Sequence, residues 1–248
     1  MRDSVSNFYY TNGKEYKEKG YEKIQDVPED LFDTSKKSHE IRLLQKKAHE
    51  NDREIVRDDY LNPFIDNLTF PIHFLDFEAY NPKRKNVSHL PFQHSLHLLE
   101  DNGRIRHFEF MGKSKDPRKK LRQDLLQILE EKGSIVVFNK KFERKILNQL
   151  DLEKYVPRLE DLWLPFKNFW YYHPEQAGKT GLKTVYPIVT GNNGYKDLNV
   201  SNGMHAQKRY EKMLRGGFTR KKKEELLKYC ALDTYSMYEI IEEIKKKI

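Results

Sequence analysis

A single cysteine, Cys230, excludes an internal disulfide and any cysteine zinc site in this chain of 248 residues. Long hydrophobic runs are also missing, and no stretch approaches the ~20 apolar residues of a membrane-spanning helix. The N-terminal segment MRDSVSNFYYTNGKEYKEKG has no apolar core of the kind a signal peptide needs. With the lone thiol, this sets the expectation of a soluble protein in a reducing cytoplasm. Several familiar site patterns are absent as well. There is no G-x-S-x-G elbow of a serine hydrolase. AGKTG (177–181) would need glycine at position 173 to be a phosphate loop, and that residue is His173. His94 and His97 lie three apart in a strand-like run, so they face opposite sides and make a poor metal pair.

Charge is what the chain has in abundance: 34% of residues are charged against 37% hydrophobic, with a formal net charge of +8. It is unevenly placed, residues 1–70 summing to −3 and residues 71–248 to +11. A basic second part suits a polyanionic partner such as nucleic acid; a solvated lysine-rich surface is the competing reading.

The first 70 residues are polar and show no catalytic pattern. One helix is expected in SKKSHEIRLLQKKAHENDREIV, with Ile41, Leu44 and Ala48 at helical spacing and Ser38 available as a cap for a later start. Residues 1–70 therefore read as an arm or helical extension, and 71–248 as the main domain. Strand-like runs follow at 72–80, 92–100 and 104–112, the last two joined by a hairpin signal at Asn102–Gly103. A helix is expected over 116–132, with Pro117 in its first turn and Gly133 at its end. SIVVFN (134–139) reads as a strand covered on both faces, KKFERKILNQL (140–150) as a helix, and EDLWLPF (160–166) as a short run ending at a proline. Residues 167–219 read as irregular apart from a helix near GLKTVYPIV, and a long helix spans 220–247. The order β-β-β-α-β-α-β-α…α describes an α/β fold: a mixed sheet, with an antiparallel three-strand meander plus parallel strands, flanked by helices.

Three acidic elements stand out. In PIHFLDFEAYNP (71–82), Asp76 and Glu78 sit two apart in an apolar strand and share a face, about 7 Å apart at the backbone. Buried carboxylates need partners or a metal, and oxygen ligands of this kind suit Mg²⁺ or Mn²⁺. In VVFNKKFERKIL, Asn139 ends a strand and Glu143 lies in the first turn of a helix, where it favours the dipole. Phe142, Ile146 and Leu147 read as core. On the closing helix, Asp233 interrupts the apolar stripe Leu226, Cys230, Met237, Ile240, Ile241, Ile244, with Tyr229 one turn earlier. Each acid alone also fits a salt-bridged or solvated position.

Taken together, D-x-E on a first strand, N-x-x-F-E at a strand-to-helix junction and Y-x-x-x-D on the last helix resemble the three motifs of the DEDD 3′–5′ exonucleases, which have an RNase H-like fold. YCALD points to the tyrosine (DEDDy) branch. A closer resemblance is to the bacterial domain-of-unknown-function family 2779 (DUF2779). It is carried by PIHFLDFEAYNP, LPFQHSLHLLE, GSIVVFNKKFE, DLWLPF, GLKTVYPIV, LNVSNGMHAQKRY and YCALDT, over about residues 65–245. Glutamate is usual in that family at the position of Glu143, where most DEDD relatives have aspartate. Longer members carry an additional nuclease-like N-terminal region, which implies that this chain is a C-terminal portion or a short form.

The resemblance implies a two-metal exonuclease acting on DNA or RNA, with a single-stranded 3′ end as the expected substrate. Asp76 would bridge two Mg²⁺ or Mn²⁺ ions, Glu78 and Asp233 would complete the first site, and Glu143 would support the second through water. Tyr229 would orient the attacking water, and Asn139, Phe142 and Asp161 would contact substrate or support the site. The alternative is a catalytically degenerate nucleic-acid-binding or scaffold module of the same fold. Trp163, Phe169 and Trp170 read either as base-stacking residues or as core and loop packing.

Overall fold

The computed structural model describes residues 1–82, 88–200 and 202–248. Ser201, within LNVSNGMHAQKRY, lies outside them. By contacts, the chain forms two compact units. One comprises Met1–Asp66, Trp163–Asn192 and Glu242–Ile248; the other comprises Asn67–Leu162 and Asn193–Ile241. The N-terminal segment thus shares its unit with two later stretches of chain. Among the described residues, no helix is long and apolar enough to cross a membrane.

In chain order the helices are α1 (Lys14–Lys17), α2 (Lys37–Asn51), α3 (Asp58–Asp66), α4 (Arg118–Ile128), α5 (Lys140–Gln149), α6 (Trp163–Lys167), α7 (Leu182–Thr190), α8 (Gly203–Lys212) and α9 (Arg220–Lys245). The strands are β1 (Ile55–Val56), β2 (Ile72–Tyr80), β3 (Leu90–Leu99), β4 (Ile105–Met111), β5 (Ile135–Val137), β6 (Leu159–Asp161) and β7 (Tyr171–Tyr172).

In the first unit, β1 pairs antiparallel with β7. A buried polar chain runs from Asp3 through His49 to the Tyr172 hydroxyl, with both His49 ring contacts at 2.9 Å. Phe169 is fully buried and stacks on Tyr172 at 4.2 Å, so it is core and not free to meet a base. Trp163 donates its indole N–H to Thr180, and Trp170 stacks on Tyr60. Helix α2 starts at Lys37 without a side-chain cap, which places Ser38 inside it.

The second unit is a five-stranded mixed sheet in the order β4-β3-β2-β5-β6. β2, β3 and β4 form the antiparallel meander, and β2, β5 and β6 run parallel. All ten residues of β3 are buried, as a strand covered on both faces must be. On one face, Leu75, Phe77 and Leu96 pack with Leu121 and Leu125 of α4 and Ile146 of α5. On the other, Tyr80 and Phe92 pack with Tyr210 of α8 and Leu226 of α9. His94 and His97 do face opposite sides: His94 meets Asp124 of α4, and His97 meets Thr234 of α9.

Three local expectations change. α4 stops at Ile128, because Leu129 turns extended; Pro117 is its N-cap residue. Gly133 lies beyond the helix, in the left-handed region at φ 84°, within the turn before β5. The stretch read as irregular contains α8, where Ala206 and Tyr210 are buried at i and i+4, with Met213 at i+7 just past its end. That spacing is visible in the sequence, but it follows the Asn202–Gly203 turn signal and continues into Gly216–Gly217.

His73 gives this unit an acid sensitivity. It is fully buried at the start of β2. Its Nδ1–H faces the Ser134 carbonyl at 3.1 Å, and its Nε2 accepts from the Glu130 N–H at 3.4 Å, an arrangement only the neutral ring satisfies. Burial, with Arg158 nearby, pulls its pKa down from 6.5 to about 4. The unfolded chain therefore takes up this proton first. The stability tied to the neutral ring is complete above pH 6.5 and drains as pH falls toward 4, at up to about 1.4 kcal/mol per pH unit. His97, pulled down to about 3 by burial and His107, acts in the same direction. Urea midpoints measured from pH 7 to pH 4 should fall, less steeply in His73→Gln; equal slopes would refute the assignment.

Candidate metal centre

Alternation along β2 sends Leu75 and Phe77 into the α4/α5 core, so Asp76 and Glu78 take the opposite face. That face is lined by α9. Phe74 meets Tyr238 edge-on at 5.9 Å, and Ser95, paired across the ladder with Asp76, bonds Thr234 at 2.9 Å. Asp233, next to Thr234, consequently comes over β2. A ligand oxygen from each of Asp76, Glu78 and Asp233 lies within 4.8 Å of the others. A β-bulge between Glu78 and Ala79 shifts the register of the ladder at this point.

Glu78 and Asp233 are buried and Asp76 is half-buried. At no more than 4.8 Å apart, each carboxylate pair repels by about 3 kcal/mol at an effective dielectric constant near 20. A divalent cation held among the three would reverse the sign of that interaction.

Glu143 arrives from the other side of β2. β5 is short and pairs only with His73 and Phe74, after which the chain turns at Asn139 into α5. The edge of β2 beyond Phe74 is then free of strand, and the Phe77 N–H there acts to lower the Glu143 pKa against the larger opposing effects. Glu143 is 1% exposed, and its Oε2 has no hydrogen-bond partner among the described residues. Burial, then Asp76 and Glu78, push its pKa well above the usual carboxylate range. Glu143 lies outside the 4.8 Å cluster, and the carboxylates that act on it are Asp76, Glu78 and Asp161. A buried oxygen without a partner near two of the three clustered acids is a second mark of a cation site.

The remaining sequence-derived residues divide. Asn139, at φ 103°, donates its N–H to Asp161 Oδ1 at 3.0 Å, so Asp161 holds the strand-to-helix turn that carries Glu143. Phe142 is half-buried against the core and edge-on to His89 at 5.9 Å. Tyr229 is buried, and burial followed by Asp233, Glu78 and Asp76 raises its pKa, which keeps the phenol protonated.

Two further groups meet the carboxylates. The Cys230 thiol, raised in pKa by burial and then by Asp76, lies 3.3 Å from Asp76 Oδ2 and donates to it. Tyr195 donates its hydroxyl to Asp233 Oδ1 at 2.6 Å. Cys230 already stands in YCALD and on the buried stripe of α9; its contact with Asp76 is what the sequence does not announce. Nothing local to Tyr195 announces its role.

A groove of about 630 Å³ runs along the exposed side of α5, lined by Asn139, Lys141, Phe142, Arg144, Lys145 and Gln149 with His89 opposite. Lys145 Nζ meets Ser88 Oγ and His89 Nδ1 at 2.9 and 3.0 Å. No carboxylate lines the groove among the described residues.

No curated protein and no solved structure matches the chain significantly. Asp76, Glu78, Asn139, Glu143 and Asp161 all fall in the one stretch with a family match, and Tyr195, Tyr229 and Asp233 fall outside it. Over residues 73–181 the chain is similar to the family described as Domain of unknown function (DUF2779).

Proposed function

We propose that this protein is a metal-dependent 3′–5′ exonuclease of the DEDDy type, with an RNase H-like fold, acting on DNA or RNA in the cytoplasm. One observation carries the reading: Asp76, Glu78 and Asp233 hold ligand oxygens within 4.8 Å of one another. The donor set is entirely oxygen, which fits the hard cations Mg²⁺ and Mn²⁺. Asp76, Glu78 and Asp233 would hold one ion, and Glu143 with Asp76 a second. Such ions supply Lewis-acid stabilisation of phosphoryl charge and lower the pKa of bound water.

The chain's own residues supply the rest. The Tyr229 hydroxyl, kept protonated by burial and by Asp233, Glu78 and Asp76, would orient the attacking water. Asp161 fixes the turn that delivers Glu143. Lys141, Arg144 and Lys145, in a groove that no acid lines among the described residues, offer contacts to successive backbone phosphates.

The test is end-labelled single- and double-stranded DNA and RNA incubated with Mn²⁺ or Mg²⁺. The expected result is stepwise shortening from the 3′ end, abolished by chelator and lost in Asp233→Ala. No shortening of any substrate would sink the exonuclease. Salt-dependent oligonucleotide binding without cleavage would favour the degenerate binding module instead.

A further inference from the structure

We propose that Tyr195 is the positioning residue for Asp233, setting the orientation in which this carboxylate receives a divalent cation. The role rests on the metal-site reading above and adds a residue the three motifs do not contain. Tyr195 belongs to the single 3₁₀ turn Gly194–Asp197, in the segment between α7 and α8. Its hydroxyl lies 2.6 Å from Asp233 Oδ1, the length of a charge-assisted O–H···O⁻ bond. The same oxygen is 3.3 Å from Ser236 Oγ, one turn further along α9. A phenol has one proton to give, and the shorter contact is to the carboxylate. Ser236 is then the donor to Tyr195, and the order of the relay is Ser236 to Tyr195 to Asp233.

The turn is seated closely. A Cβ on Gly194 would meet Leu232 Cδ1 at 3.2 Å, so the backbone before Tyr195 lies against the residue before Asp233. This close approach brings the ring of Tyr195 to the carboxylate and leaves little freedom between them.

The consequence for the site is geometric. An aspartate carboxylate turns easily about its last torsion, which is broad and roughly two-fold. A bond to one oxygen fixes the plane of the group. Asp233 also has to place a ligand oxygen within 4.8 Å of those of Asp76 and Glu78. Partners of this outer kind typically contribute about 10–100-fold in metal affinity.

The experiment uses the full chain and Mn²⁺ alone, with free ion followed by its electron paramagnetic resonance signal and binding heats by titration calorimetry. Tyr195→Phe keeps the ring and removes the hydroxyl. It should fold, judged by circular dichroism and a cooperative melt without metal, and should bind Mn²⁺ about tenfold or more weakly than wild type. Ser236→Ala leaves the bond to Asp233 in place and should stay within about threefold of wild type, since rotatable hydroxyls contribute little at second remove. Wild-type affinity in Tyr195→Phe overturns the role while leaving the metal site standing. A wild-type chain that binds no Mn²⁺ overturns both. Cleavage is not read, so an inactive enzyme with the expected affinities supports the role and counts only against the exonuclease.

Discussion

Asp76→Asn should make the metal-free protein more stable and leave it unable to gain stability from Mn²⁺. The two shifts have opposite signs and a common origin. In the folded chain, Asp76 lies within 4.8 Å of ligand oxygens of both Glu78 and Asp233, and it adds to the charge that pushes Glu143 upward. Replacing the carboxylate by an amide of the same shape removes those repulsions and keeps an acceptor for the Cys230 thiol. After discounting for water and for a proton resident on Glu143, the gain is on the order of 1–3 kcal/mol. For a chain of this size, that is roughly 2–6 °C in melting temperature. Wild type should gain about 2.7 kcal/mol at a Mn²⁺ concentration a hundredfold above its dissociation constant, and Asp76→Asn essentially nothing. Any cleavage should fall by about a thousandfold or more, since several kcal/mol of charge stabilisation leave with the ligand. A variant that melts lower without metal and still shifts with Mn²⁺ would show that Asp76 is a structural acid.

Gly133→Ala should be among the most damaging single substitutions in the second unit, and Gly103→Ala is its internal control. The two glycines share nearly the same backbone, φ 84° and 82°. Their surroundings differ. A Cβ on Gly133 would sit 2.0 Å from the Pro71 carbonyl oxygen and 2.8 Å from its nitrogen, both main-chain atoms, whereas nothing lies within 4 Å of one on Gly103. Gly103→Ala therefore costs only the left-handed backbone, about 1–2 kcal/mol. Gly133→Ala adds a displacement of the entry to β2 against the turn into β5, bringing the loss to roughly 4 kcal/mol or more. Urea unfolding of the pair reads the difference directly, and equal losses would mean the turn yields without strain. Function should suffer too, because that turn sets β5 beside β2, and β5 leads into Asn139 and Glu143.

How far the site could be read in advance depended on periodicity. Two-residue alternation put Asp76 and Glu78 on one side of β2, and the interrupted apolar stripe marked Asp233 as the inward-facing acid of α9. Both follow from local geometry that a strand or helix imposes wherever it sits. The Asn102–Gly103 hairpin and the mixed sheet were legible for the same reason. Helix α8 was missed, although its apolar spacing is regular, because glycine and asparagine at its start and glycines at its end read as loop.

The sequence by itself determined which residues are acidic, which strand and helix carry them, and which way each points from its own axis. Only the tertiary structure decided what those directions meet. The early end of β5 leaves the edge of β2 open where Glu143 of α5 feels Asp76 and Glu78, and the close seating of Gly194 on Leu232 delivers Tyr195 to Asp233. Packing likewise joins Trp163–Asn192 to the N-terminal segment in one unit. The physical reason is range. Alternation and helical pitch act over a few residues, whereas the bond from Tyr195 to Asp233 spans 38 positions and exists only because two packed surfaces leave that distance between them.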